Sequence, residues 1–460
     1  MSLDTVLDHA DRNLDAALER LFELLRIPSI STDPAFATET AKAAHWLAGE
    51  LSGLGFDASV RETAGHPMVV AHHDGPSDAP HVLFYGHYDV QPVDPLDLWN
   101  TDPFEPRIEE QNGSKVIRAR GAADDKGQLM TFVEALRAYR DAGEPLPCRV
   151  SILFEGEEES GSPSLHPFLE ANADELRADI ALVCDTGMWD RETPAITVTL
   201  RGLAGEEVIV KGSAIDLHSG YYGGAAANPI RVLADILSGL HDGKGRVTLD
   251  GFYDGVEEVP ADVAARWATL GQTTERFLGP LGLSELSGED GRSVLEVTWS
   301  RPTAEVNGIT GGYTGDGFKT VIPAQASAKV SFRLVGTQDP HAVIEAFHAH
   351  VERRLPADCE VEYIPHGRSP ATQLDWDLPE LRLAADALTD EWGVEAAIIG
   401  GGGSIPIVGD FRRMLGMDSL LIGFGLTDDA IHSPNEKYEL VSFARGIRSW
   451  VRVLDALAGR

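Results

Sequence analysis

Cysteine is nearly missing from this chain of 460 residues; three occur, at Cys148, Cys184 and Cys359. Three scattered thiols build no disulfide framework, which excludes a small disulfide-stapled fold and fits a reducing, cytoplasmic setting. Positive charge is scarce as well. Lys and Arg number 38 against 73 Asp and Glu, a formal net charge of −35. Such a surface repels phosphate backbones and anionic headgroups, so neither nucleic acid nor a membrane is an expected partner. No apolar run reaches the roughly 18–20 residues that a bilayer span requires. The first residues, Met1-Ser-Leu-Asp-Thr-Val-Leu-Asp-His9, hold no basic stretch followed by an apolar one, so no secretory signal is expected there. No internal repeat, coiled coil or low-complexity segment is evident.

What is present is ample material for two cores: 43% of the residues are hydrophobic, over a length that exceeds one typical domain. Apolar residues at helical spacing predict a helix over residues 4–26, with Asp4 as N-cap and Pro28 as stop, and a second over 36–54 ending at Gly53 and Gly55. Buried strands are expected at 68–71, 82–85, 149–154 and 180–183, with helices at 127–141 and 165–173. Strands alternating with helices indicate an α/β domain. From Ala195 the pattern changes to apolar–polar alternation, which suits a sheet with one wet face. Helices at 226–241 and 340–355 and strands at 319–322, 325–334 and 361–364 complete an α+β unit, whereas 242–300 reads as irregular or helical. After about 370 the α/β pattern resumes, with helices at 378–392 and 440–458 and strands at 396–399 and 420–423. The expected organisation is a catalytic domain over 1–194 and 369–460, interrupted by an inserted domain over 195–368.

Five motifs supply carboxylates and imidazoles. They are Gly86-His87-Tyr88-Asp89-Val90, Gly121-Ala-Ala-Asp124-Asp125-Lys126-Gly127, Glu155-Gly-Glu157-Glu158-Glu159-Ser-Gly-Ser162, Val183-Cys-Asp185 and Ile431-His432-Ser-Pro-Asn-Glu436. Divalent cations want these ligand types. A lone histidine after a strand, or three glutamates in a row, is more often structural. Here His87, the glutamate run and Asp185 each follow a predicted strand, and ligands in open α/β sheets gather at the carboxyl ends of strands. Cys184 beside Asp185 is expected to pack in its strand. Gly400–Gly403 lacks the Gly-Lys-Ser/Thr of a phosphate loop, and Ser404 sits in no Gly-x-Ser-x-Gly elbow.

These motifs resemble those of the M20-type metallopeptidases over nearly the full length of the chain. Asp216-Leu-His218-Ser-Gly-Tyr-Tyr-Gly-Gly224 and Gly402-Gly-Ser404-Ile-Pro406 resemble the carnosinase-like dipeptidase branch. Acetylornithine- and succinyl-diaminopimelate-type deacylases are similar in the metal motifs but differ around the lid histidine. The resemblance implies a dinuclear-metal exopeptidase catalytic domain with a mixed sheet and an inserted α+β lid and dimerisation domain. It implies two zinc ions, with manganese or cobalt as alternatives. Asp124 would bridge them, His87 and Asp185 completing one site and Glu159 and His432 the other. Two neighbouring cations repel, so a shared carboxylate and a bridging hydroxide suit the space between them.

By the same resemblance Glu158 is the general base, Glu157 is a bystander and a cis peptide follows Asp124. Asp89 orients His87, and Asp125 is free to cap the helix that follows it. His218 would reach the active site of the partner subunit and stabilise the oxyanion, which implies a homodimer paired through the lids, with the helix at 226–241 and its adjacent edge strand as interface. Arg333 would grip a substrate carboxylate, with His366, Gly403 and Ser404 as further contacts and Thr320 contributed across the dimer. The expected reaction is hydrolysis of dipeptides or short peptides with a free C-terminal carboxylate. The alternatives are an N-acyl-amino-acid amidohydrolase or a carboxypeptidase, and more remotely a non-catalytic peptide-binding protein, which would lack a ligand or the base.

Overall fold

A computed structural model describes residues 3–403 and 405–459. The chain divides into two compact units, one comprising Met1–Val198, Leu374–Ile399 and Asp410–Arg460, the other Thr199–Gln373 and Gly400–Gly409. The short stretch 400–409 thus clusters with the inserted unit, although it lies within the part assigned from sequence to the returning catalytic domain.

The first unit is built on a mixed sheet. Across it run Asp57–Arg61, Met68–His73, Arg149–Glu155, His81–His87, Ile180–Val183, Asp418–Leu421 and Ala195–Leu200, with Ala397–Gly401 also pairing the last. The inner strands Arg149–Glu155, His81–His87, Ile180–Val183 and Asp418–Leu421 are mutually parallel, and the flanking strands are antiparallel. Parallel strands buried on both faces read as continuous apolar runs, and Ile180–Val183 is buried throughout. The helices Lys126–Asp141, Leu440–Leu457, Pro379–Trp392 and Leu3–Arg12 pack together, and the first also lies on His81–His87. Phe84 stacks on Phe132 at 3.7 Å, and Trp450 meets Phe84 edge-on at 5.4 Å. Fully burying a phenylalanine side chain of this kind contributes roughly 1.5–3 kcal/mol.

Two expectations are corrected. The helix over 4–26 is two helices, Leu3–Arg12 and Leu14–Leu25. The break is at Asn13, whose backbone leaves the helical region (φ −105°, ψ 12°) while its side-chain amide and its N–H both donate to the His9 carbonyl, at 2.9 and 3.1 Å. Asp4 sits inside the first helix, which begins at Leu3, rather than preceding it. In addition, a small antiparallel sheet of Lys437–Glu439, Ser114–Arg118 and Arg107–Gln111 was not anticipated. Its charged strands hide the pattern. The hairpin turn is nevertheless Asn112-Gly113, both with positive φ (52° and 82°), the turn that two-residue hairpins favour.

The second unit holds an antiparallel sheet in the order Thr303–Gly311, Gln325–Leu334, Gly202–Lys211, Glu360–Ser369. Buried residues alternate along Gln325–Leu334 as one wet face requires. Helices Pro229–Ser238 and Pro340–Glu352 pack on this sheet, and Val208, Val330, Phe332, Ile236 and Phe347 form a core of their own. The stretch 242–300 contains the helices Ala261–Thr269 and Thr274–Leu278.

Candidate metal centre

The parallel strands deliver the first group of donors. His87 ends its strand, Asp185 lies just beyond Ile180–Val183, and Glu158 and Glu159 open a short 3-10 turn after Arg149–Glu155. All emerge on the carboxyl side of neighbouring strands, where open α/β sheets place their ligands. Gly86 allows close packing there: a Cβ would lie 2.8 Å from Asp125 Oδ2 and 3.1 Å from Cys184 Sγ.

The small sheet delivers the second group. Lys437 pairs with Arg118, so the chain leaving the His432 motif runs beside the chain entering the Asp124 motif. Glu436 then accepts from the backbone N–H groups of Gly121 (2.9 Å), Ala123 (2.9 Å) and Asp124 (3.1 Å) and from Arg120 Nη1 (2.7 Å), all buried. Ala430, His432 and Asn435 adopt left-handed backbone conformations, which cost about 1 kcal/mol or more at Ala430 and His432 and less at Asn435, since asparagine tolerates that region. Asn435 anchors this loop, accepting from the Asn100 N–H and donating to the Leu98 carbonyl, both at 2.8 Å.

Asp124 is the point of convergence. Its Oδ1 lies 3.0 Å from His87 Nε2, and its Oδ2 lies 3.0 Å from His432 Nε2. His432 Nε2 is also 3.2 Å from Glu159 Oε2, which accepts from Gln91 Nε2 at 2.7 Å. Two donor sets emerge, His87 with Asp124 and Asp185, and Asp124 with Glu159 and His432, the donor atoms within each lying within 4.8 Å of one another. Each set offers one imidazole nitrogen and two carboxylates, a mixture that suits borderline divalent cations. With Glu158 the cluster holds four carboxylates to two imidazoles, a charge surplus that two cations would offset.

The electrostatics follow from burial and this crowding. Burial alone would raise the Asp124 carboxyl, but hydrogen bonds from His432 and His87 outweigh it and hold it well below the ordinary range. Burial, then the charge of Asp124, pushes Glu159 up to about 8 and Asp185 up to about 7. The hydrogen bond to Asp124 lifts His432 to about 9. Burial also raises Glu158.

Several neighbours do more than the sequence indicated. Asp89 Oδ1 lies 3.4 Å from His87 Nδ1, which also meets the Asp89 backbone carbonyl at 3.1 Å. The same carboxylate accepts from the N–H groups of Glu158 (3.2 Å) and Glu159 (3.0 Å), coupling the His87 motif to the glutamate turn. Asp125 occupies the helix N-cap position but does not cap with its side chain. Its carboxylate instead accepts from the His87 N–H at 3.0 Å and the Cys184 thiol at 3.3 Å. The peptide between Asp124 and Asp125 is cis. Glu157 belongs to neither donor set and has a structural part instead: buried, it accepts from the N–H groups of His66 (2.6 Å) and Ser164 (2.9 Å) and pins two loops. Glu436 and Gln91 received no role from sequence. The available signal was their spacing, four residues after His432 and four after His87.

The remaining expected residues belong to the second unit. The two-residue strands Leu217–His218 and Val321–Ile322 pair, and the Thr320 carbonyl accepts from the Ser219 N–H at 3.0 Å, so His218 and Thr320 lie together. His218 is exposed, with its ring 4.8 Å from that of Tyr221. Arg333 lies on Gln325–Leu334 opposite Leu203. His366 falls at the bulge of Glu360–Ser369, close to Gly205. The Gly403 carbonyl accepts from the Arg201 N–H at 3.1 Å. Ser404 lies outside the described residues.

Comparison with known proteins identifies the family of the chain. The model of peptidase family M20/M25/M40 matches residues 83–456. The chain is 30% identical to the Cys-Gly metallodipeptidase DUG1 of Candida albicans over 94% of its length and 92% of that protein. It is 28% identical to the human Beta-Ala-His dipeptidase, covering 97% of this chain and 91% of that one. Among solved structures, an M20 family metallo-carboxypeptidase from Sulfolobus solfataricus superposes with a TM-score of 0.80 at 32% identity, covering 96% of this chain and 99% of that one. The chain belongs to peptidase family M20/M25/M40, in its carnosinase-like dipeptidase branch.

Proposed function

We propose that this chain is a metal-dependent dipeptidase that hydrolyses the peptide bond of dipeptides or short peptides carrying a free C-terminal carboxylate. The observation that carries the reading is Asp124, whose two oxygens face two different imidazoles, each belonging to a complete donor set. His87, Asp124 and Asp185 would hold one cation, and Asp124, Glu159 and His432 a second, with zinc the expected ion and manganese or cobalt compatible with the same donors. Such a pair supplies Lewis acidity toward the scissile carbonyl and makes water a better nucleophile near neutral pH.

The rest is work for the chain's own side chains. Glu158 takes the proton of the attacking water and passes it to the leaving amine; its raised pKa suits a group that must both accept and donate. Asp89 holds His87 in orientation and fixes the turn that carries Glu158 and Glu159. His218 reaches the active site of the partner subunit and donates to the oxyanion there. Arg333, His366, Gly403 and Ser404 bind the substrate carboxylate, with Thr320 alongside His218.

The names of the Candida and human relatives both describe dipeptide substrates, which supports this substrate class. The Sulfolobus relative, named a carboxypeptidase, supports a second reading in which longer peptides lose their C-terminal residue. Exposed apolar residues of the second unit, among them Ile309, Phe318 and Tyr221, support a homodimer paired through that unit. The three buried cysteines form no disulfide among the described residues, which is consistent with the cytoplasm. The test is a metal-stripped sample reloaded with each cation and assayed on free dipeptides, longer peptides and N-acylated amino acids. Turnover of free dipeptides above the other two classes supports the proposal; preference for longer peptides indicates the carboxypeptidase, and preference for N-acyl substrates a deacylase.

A further inference from the structure

The structure assigns to Arg201 a share in gripping the substrate's C-terminal carboxylate, as a second guanidinium beside Arg333; the assignment rests on the dipeptidase reading. Arg333 stands opposite Leu203 in the antiparallel pairing of Gln325–Leu334 with Gly202–Lys211. Arg201 directly precedes Gly202–Lys211, two residues before Leu203, near enough for the charge of Arg333 to act on it. Its position is fixed by the loop that carries Gly403. The Nε donates to the Gly402 carbonyl at 3.2 Å, the backbone N–H donates to the Gly403 carbonyl at 3.1 Å, and a Cβ at Gly402 would lie 3.5 Å from Nη2.

Among the described residues, neither arginine forms an ion pair with a protein carboxylate. The carboxylate whose charge reaches Arg201 is Glu305, an exposed residue opposite Ser331. Burial and the like charge of Arg333 pull Arg201 down to about 10. Two adjacent half-buried cations repel, and an anion shared between them removes that penalty. A carboxylate has two oxygens for two forks, and Arg201 keeps its terminal nitrogens for one of them while Nε holds the loop.

The test compares a dipeptide that the wild-type enzyme cleaves with the same dipeptide as its C-terminal amide. Arg201→Gln should raise KM for the free acid about tenfold or more, with kcat changed less than about twofold and KM for the amide unchanged. Arg201→Lys keeps the charge but loses the fork, and should recover part of the loss. Metal content and thermal midpoint are measured for both variants; if Arg201→Gln does not fold, the acid-to-amide ratio of Arg201→Lys decides. An acid-to-amide ratio left at the wild-type value would overturn the assignment to Arg201. A wild-type enzyme that treats acid and amide alike would instead refute the carboxylate-gripping reading itself.

Discussion

At the scale of single residues, the site is organised by which atom each carboxylate offers and to whom. Asp124 spends both oxygens on imidazoles, whereas Glu158, adjacent to a donor, has its backbone fixed by Asp89 and its side chain left out of either donor set. This division predicts different outcomes at neighbouring positions. Glu158→Gln should retain bound cations and lose about 10²–10⁴-fold in kcat, the usual worth of a positioned general base. Metal analysis alongside steady-state kinetics checks both halves, and wild-type turnover in this variant would reject the assignment of the base. His432→Ala should lower the bound cation from two per chain to one, because His432 serves a single donor set, whereas Asp124→Ala should lose both. Equal loss in the two variants, measured by elemental analysis of the purified proteins, would show that Asp124 is not shared.

At the scale of elements, two devices bring distant motifs together. One is the set of parallel strands, whose carboxyl ends present His87, Asp185 and the glutamate turn. The other is the small sheet in which Lys437 pairs with Arg118, with Glu436 locking Arg120 to Asp124 beside it. Replacing Glu436 with Gln keeps the shape but leaves the buried Arg120 guanidinium without its counter-charge. Removing one partner of a buried pair costs about 3–5 kcal/mol. Chemical denaturation of Glu436→Gln should show a loss of that order, together with weaker cation binding because the Asp124 loop is no longer pinned. A change below about 1 kcal/mol would mean that the pair is dispensable. The first device was legible in the sequence because buried strands are apolar runs and the acidic motifs follow them directly. The second was not. Arg107–Gln111 reads Arg-Ile-Glu-Glu-Gln, and its charge conceals a strand whose only local signal is the Asn112-Gly113 turn. Glu157 and Asp125 were underestimated for a related reason: their partners are backbone N–H groups of His66, Ser164 and His87, and sequence does not show where a main-chain donor points. Arg201 carried no signal beyond being an arginine between two apolar strands.

At the scale of the molecule, the two units have separate hydrophobic cores, one built around Phe84, Phe132 and Trp450, the other around Val208, Phe332 and Phe347. All five donors, His87, Asp124, Glu159, Asp185 and His432, come from the first unit. A ligand that binds only the folded form stabilises it by RT ln(1 + [L]/Kd), about 2.7 kcal/mol at a hundredfold excess over Kd. That stabilisation belongs to the unit that owns the donors. Scanning calorimetry of the chelator-treated protein should therefore show the transition of the first unit moving to lower temperature, while that of the second stays in place; re-adding the cation should reverse the shift. Domains with their own cores commonly melt as separate steps, which makes the comparison readable. Were both transitions to move together by the same interval, the cations would be stabilising something that the two units share, and the placement of all five donors in one unit would no longer account for where the binding energy goes.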